Sequence, residues 1–279
     1  MSHFTVLVIG ENPEKQLQPY HEYECTGIED EYVVFVEAEE DLEKEYQKHK
    51  DDYTSIDEFA KDYYGYIKEG DKWGRITNPN KKWDWYVLGG RWTGYFRLKD
   101  DADGEIGEPG IMTARAKVGH ADAAYKRDID FDYMRNERAN KAAKEYDKAM
   151  KIIGHLPVNK TWEQIRGKGG KDIDKKKSKY WEQPRCKAWQ AAKTMEDFGW
   201  DSSPDDYLIS KEQFVQNAKE SAISTFAVLK ESKWYEKGEM GWFGMAHNEK
   251  EQDQWNKEFY KLLNDLPDDT LLSIYDCHI

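Results

Sequence analysis

Apolar residues crowd into short runs near the two ends of the chain and are sparse and spaced between them. Phe4 to Ile9 (FTVLVI) is a near-continuous apolar run, the pattern of a strand covered on both faces. Asn12-Pro13 then supplies an N-cap and a first-turn proline for a short helix ending near Pro19. Glu31 to Glu37 reads as a second strand. Residues 39–50 and 54–68 read as helices, the latter with Ser55 as N-cap and Phe59, Tyr63 and Ile67 at four-residue spacing.

The stretch WDWYVLGGRWTGYF, Trp83 to Phe96, alternates in two halves around Gly89-Gly90-Arg91, which predicts a β-hairpin. A polar loop over 100–110 follows. Residues 120–153 form the longest helical candidate, with a narrow apolar stripe, stopped by Gly154 to Pro157. Residues 158–182 read as a flexible basic loop, and 183–197 as a helix carrying Cys186, Trp189 and Met195. Further on, Ser210 opens a helix to about Ser221. Thr225 to Leu229 is a strand whose hairpin partner lies within Trp234 to Trp242. Lys250 to Leu263 is an amphipathic helix, and Thr270 to Ile279 is the last strand.

Strands at both ends can pair in one sheet and so tie down both termini. The expected class is α+β, with a mixed or antiparallel sheet that includes both terminal strands and an inserted helical region. Residues 1–110 and 200–279 together form the α+β domain, and 111–199 the helical insertion with its basic loop at 158–182.

Composition changes this picture in one respect. The chain of 279 residues is 38% hydrophobic and 35% charged, a balance that by itself suggests disorder. Its 11 Trp and 18 Tyr argue for a fold, because large aromatics close a core that few aliphatics would fill. The apolar runs are too short for a membrane span, and MSHFTVLVIG reads as a first strand and not as a signal peptide. Three well-separated cysteines make no disulfide framework, which points to the cytoplasm.

Charge is unevenly placed. Residues 1–69 hold 6 Lys/Arg against 19 Asp/Glu, a net −13, whereas 160–187 hold 10 basic against 4 acidic residues. An acidic face and a basic patch on one molecule favour protein–protein contacts, including homo-oligomers, over direct nucleic-acid binding. Partner-contact candidates are Tyr86, Arg91 and Tyr95 of the aromatic stretch and Lys168, Lys171, Lys175, Lys176 and Lys177 of the basic segment. Gly167-Lys168-Gly169-Gly170-Lys171 departs from a phosphate loop, since Asp172 stands where Ser or Thr belongs.

His21, Cys25, Cys277 and His278 offer two thiolates and two imidazoles, the ligand set of a structural zinc site, if the terminal strands pair. Adjacent Cys277 and His278 point to opposite faces of a strand, which opposes that set. Asp276-Cys277-His278 likewise has the letters of a nucleophilic triad, but such neighbours cannot form its geometry among themselves. A second histidine, His3 or His21, would have to be brought in. No other cofactor is expected, and the chain reads as non-catalytic.

The residues at the two ends, with the aromatic stretch, also resemble one family. They are MSHFTVLVIG with Gln16-Leu17 and Pro19-Tyr20, the WDWY…GGRW stretch, Lys233-Trp234-Tyr235, Gly238-Glu239-Met240-Gly241-Trp242 and LPDDTLLSIYDCHI. That family is a group of uncharacterised proteins encoded by tailed bacteriophages and prophages, and the likeness spans 1–35, 76–97 and 222–279. The resemblance implies a phage accessory protein in the bacterial cytoplasm. Proteins in that setting often bind and inhibit a host defence complex, as the Gabija inhibitors of comparable size do. The alternatives are a nucleotide- or metal-dependent enzyme and a nucleic-acid-binding accessory protein.

Overall fold

The computed structural model describes residues 2–38, 41–111, 115–167, 172–192, 195–199, 202–241 and 244–279. The chain divides into two compact units, one of residues 1–129 with 225–279 and one of residues 130–224. Among the described residues no helix is long and apolar enough to cross a membrane.

The first unit is built on a mixed sheet that contains both chain ends. Strand β1 (His3–Ile9) lies between β10 (Ala227–Lys230), which is parallel to it, and the last strand β14 (Leu271–His278), which is antiparallel. β11 (Lys233–Glu236) closes one edge as the hairpin partner of β10, and the short β12 (Glu239–Met240) and β13 (Ala246–His247) pair antiparallel as a separate ribbon. On the other side, β14 pairs with β5 (Trp85–Gly90) through its second half and with β9 (Ala123–Tyr125) through its first. β7 (Glu108–Pro109) runs parallel to β5.

Both sheet faces are buried, which explains the unbroken apolar run of β1. One face carries Phe4, Val6, Val8, Ala227, Leu229, Tyr275 and Cys277, packed with Leu17 and Trp83. The register puts Leu7, Val228, Leu272 and Ile274 on the opposite face, all buried. The C-terminal helix Gln252–Asn264 buries Trp255, Phe259 and Leu263. Its Trp255 indole donates to the Thr225 carbonyl at 2.7 Å, just as the Trp83 indole donates to Leu17 at 3.0 Å. Each large ring thus fills the core while its polar N–H stays satisfied.

Helices α1 (Pro13–Leu17) and α2 (Tyr23–Thr26) follow β1. A smaller sheet, β2 (Val34–Glu37), β4 (Lys72–Thr77) and β3 (Ile67–Glu69) in that spatial order, accompanies α3 (Leu42–His49) and α4 (Ile56–Tyr64). Leu42, Phe59, Ala60 and Tyr66 form its core. Ser55 caps α4 as expected, accepting from the Glu58 amide. The helix expected to reach 68 stops at Tyr64, because Gly65 takes a left-handed conformation (φ 69°) and Ile67 turns into β3.

The aromatic stretch departs from the expected hairpin. Its first half is β5, but the second strand, β6 (Phe96–Arg97), pairs with β8 (His120–Ala121) and not with β5. The cause is Asp122, fully buried between β8 and β9. Its carboxylate accepts from Thr93 Oγ1 (2.9 Å) and from the amides of Gly94 (2.5 Å), Tyr95 (3.3 Å) and Gly107 (2.9 Å). These bonds draw residues 93–95 towards β8 and β9. Gly89 and Gly90, at φ 78° and 55°, let the chain leave the sheet close to Asp122 and Asp276, where a Cβ would collide with either carboxylate.

The second unit is helical. α5 (Phe131–Ile153) packs along α10 (Lys211–Glu220) and against α8 (Pro184–Ala192). Its narrow stripe of Ala142, Ala149 and Ile153 is buried, and Ala149 and Ile153 join Trp189, Phe198 and Tyr207 in an aromatic core. The insertion expected over 111–199 therefore runs from Asp130 to Ser224. Residues 120–125 are claimed by strands, and α10 packs on α5. The expected loop at 158–182 contains α6 (Trp162–Arg166), held by a Thr161/Gln164 capping box, and α7 (Ile173–Trp181). The helix expected over 183–197 is α8 followed by the short α9 (Met195–Phe198).

Asp122 gives a direct test of the clasp. Asp122→Ala strands four donors, so the chain is expected to lose about 3 kcal/mol of stability, seen as a lower urea midpoint at an unchanged slope. Asp122→Asn should recover little, because its amide N–H groups would face donors. A midpoint within error of the parent would refute the assignment.

Candidate functional site

Three segments far apart in sequence meet at one end of the central sheet: the start of β1, residues 84–91 and the end of β14. The register sets His3 opposite His278, and His278 opposite Trp85, on the face that also carries Asp276. Asp276 is 1% exposed, and its two oxygens accept from His3 Nδ1 at 2.8 Å and from the Arg91 amide at 2.9 Å. Beside it, Asp84 Oδ1 accepts from His278 Nδ1 at 2.6 Å. The two imidazoles stand edge to face with centroids 4.9 Å apart.

The chemistry of this group follows from its acceptors. A carboxylate oxygen accepts, so each Nδ1 donates, and in the neutral ring each Nε2 carries the lone pair. His278 Nε2 is sealed from solvent and has no hydrogen-bond partner among the described residues. The two rings are similarly exposed, His3 at 17% and His278 at 13%, so the sealed Nε2 is what sets His278 apart. Trp85, half-exposed, contacts His3 at 6.2 Å between centroids, and Arg91 is exposed next to them. Ser2 secures the neighbouring glycine segment: its hydroxyl donates to Gly241 O at 2.6 Å and accepts from the Gly244 amide at 2.7 Å. The outcome is two carboxylate-oriented imidazoles, both partly buried, with the Nε2 of His278 sealed and a cation and an aromatic plane at hand.

The four expected zinc ligands do not converge. Cys277 is fully buried on the other face of β14, in the core with Tyr275 and Tyr86. Burial there pushes its thiol well above the ordinary range, so it is neither a ready ligand nor a nucleophile. His21 is fully buried with both nitrogens engaged, by Thr26 Oγ1 at 3.0 Å and Asp30 Oδ1 at 3.3 Å. Cys25 is exposed and lies with Glu22 and Asp84, the one set of three such groups among the described residues whose ligand atoms fall within 4.8 Å of one another. Two members of that set are already committed, Glu22 to Lys81 at 2.6 Å and Asp84 to His278.

Of the expected partner contacts, Arg91 is exposed, but Tyr86 is not an outward residue. Its ring packs edge-on against Trp83 (4.7 Å) and Tyr275 (5.5 Å), and burial raises its hydroxyl pKa. Trp85 takes the exposed place instead, because the register turns Tyr86 into the core. Tyr95 is half-buried against Phe96, with its hydroxyl likewise pushed up by burial. Lys175 and Lys177 are exposed on α7, and Lys176 reaches back to the Arg166 carbonyl at 2.5 Å. Lys168 and Lys171 lie outside the described residues.

Sequence reasoning singled out neither Asp84 nor Asp122. The available signal was a charged residue inside an otherwise burial-prone run, as in Ala121-Asp122-Ala123 and Tyr275-Asp276-Cys277. Comparison with protein-family models, curated proteins and solved structures finds no match to this chain.

Cys25 reports on the electrostatics next to the site. Burial first, and then the Glu22 and Asp84 carboxylates, raise its thiol pKa, which leaves less thiolate at pH 8 than an unperturbed cysteine has. Iodoacetamide should therefore label Cys25 more slowly than a model peptide thiol, and Glu22→Gln should speed the reaction. Mass spectrometry of the labelled chain checks both, and equal rates in parent and variant would contradict the assignment.

Proposed function

We propose that the polar end of the central sheet is an acid–base centre and that the chain is an enzyme. The supporting observation is the His3–Asp276 pair braced by the His278–Asp84 pair. Triad letters at 276–278 lacked a second histidine, and His3 fills that place while Cys277 faces away. In this reading, His3 Nε2 takes a proton from water or a substrate hydroxyl and returns it to the leaving group. Asp276 is a positioning residue that fixes the tautomer, and its second oxygen is held by the Arg91 amide. The half-buried His278–Asp84 pair keeps the His3 ring in place. The Arg91 side chain draws an anionic group to the site, and Trp85 offers a plane for an aromatic or sugar surface.

An assay of the purified full chain against p-nitrophenyl acetate and bis(p-nitrophenyl) phosphate tests this. Turnover above buffer is expected with one of them, falling about 100-fold in His3→Gln at unchanged circular dichroism. Asp276→Asn should lower kcat and displace the pH profile, which a merely structural role would not do. No turnover of either compound, or full activity in His3→Gln, would refute the proposal.

The acidic segment supports a second reading. Residues 1–69 carry −13, and β2–β4 expose Val34, Ile67 and Ile76 within that segment and just beyond it. In this reading the chain is a phage accessory protein that binds and inhibits a host defence complex such as Gabija, as a homo-oligomer. Its expression in defence-bearing cells should restore phage plaques. Equal plaque counts with and without the chain, across a panel of defence systems, would remove this reading.

A further inference from the structure

Beyond the histidine site, the first unit holds a cavity of about 450 Å³ on the opposite face of the sheet. It lies where β14 changes partner, Tyr275 pairing with Leu88 of β5 and Ser273 with Ala123 of β9. Two strands part there, and the segment Asn12 to Lys15 and Glu105 form the other walls. That volume matches a small organic molecule.

Ser273 is the unusual group. It lines the cavity and is 1% exposed, and its hydroxyl has no hydrogen-bond partner among the described residues. A buried hydroxyl left unpaired is costly, so its retention calls for a partner that arrives from outside the chain. The charges on the walls decide what kind. Glu14 and Glu105 face one Lys15, none of the three forms an ion pair among the described residues, and both carboxylates raise the pKa of Tyr275 after burial does. Leu88, Leu271, Ala123 and the Tyr275 ring supply apolar surface between them.

We infer that this cavity binds a small primary amine with an apolar body. Its ammonium group sits between Glu14 and Glu105 near the Tyr275 ring, and a polar atom bonds the Ser273 hydroxyl. An anion would meet two carboxylates against one ammonium, and a purely apolar ligand would leave Ser273 unpaired.

Tyramine serves as the probe, with 4-ethylphenol as its neutral counterpart and 4-hydroxyphenylacetate as its anionic one, titrated by two-dimensional amide NMR into the full chain. Tyramine is expected to give saturable shifts at residues 12–15 and 273–275, with affinity about tenfold above 4-ethylphenol and no binding of the anion. Glu14→Gln combined with Glu105→Gln, both at exposed positions, should remove that tenfold preference. Ser273→Ala should melt no lower than the parent yet bind tyramine several-fold more weakly. Equal binding of the three compounds, tighter binding of the anion, no saturable shift with tyramine, or undiminished affinity in Ser273→Ala would each overturn the inference. None of these readouts depends on turnover at His3.

Discussion

The pairing of β1 with β14 ties the seven residues of β1 to the last strand, and the site and the cavity both depend on it. Antiparallel pairing fixes which residues share a face, since a slip by one residue would exchange every inward and outward side chain. In the observed register His3 meets His278 on the face that carries Asp276, while Phe4 meets Cys277 in the core. A polar cluster and an apolar core thus occupy opposite faces of the same few residues. The pairing also gives both termini backbone hydrogen bonds, as between Ser2 and Ile279 in both directions at 3.1 Å.

Buried carboxylates organise what surrounds that pairing. Asp122 and Asp276 lie on or beside β14 and each collects donors from the glycine-rich turn after β5. Ile274 donates its amide to the Asp122 carbonyl at 2.8 Å, so the clasp is tied to β14 itself. A charged group inside a core is tolerated when every lone pair has a donor, and two such groups then hold irregular backbone where strands alone would not. The His–Asp pairs at the sheet end and the partner change at Ser273 both border this region. The same interruption of regular pairing that accommodates the turn also opens the cavity.

Aromatic rings do for the core what aliphatic residues do elsewhere. Trp83, Trp189 and Trp255 are buried with each indole N–H donated to a backbone carbonyl. The second unit, with Trp189, Phe198 and Tyr207 at its centre, follows the same rule with a helix whose stripe is mainly alanine. Small residues along α5 admit close approach of a neighbouring helix, so a narrow stripe is compatible with a packed one.

How much of this was legible in the sequence depended on whether the signal was local. Periodicity and capping residues located β1, α4, α10, the β10–β11 hairpin and β14, because strand alternation, helix spacing and Ser55 or Ser210 act within a few residues. The α+β class and the meeting of both ends in one sheet followed from those elements and their order. The partner of the Thr93–Phe96 segment did not, since a buried Asp122 some thirty residues away outweighs the turn preference of Gly89-Gly90. Opposition of Cys277 and His278 was legible from strand geometry. Pairing of His3 with Asp276, and of His278 with Asp84, was not, because it depends on the register of strands that lie more than 180 residues apart in sequence. Local chemistry determined the elements; only long-range hydrogen bonding decided which faces they share.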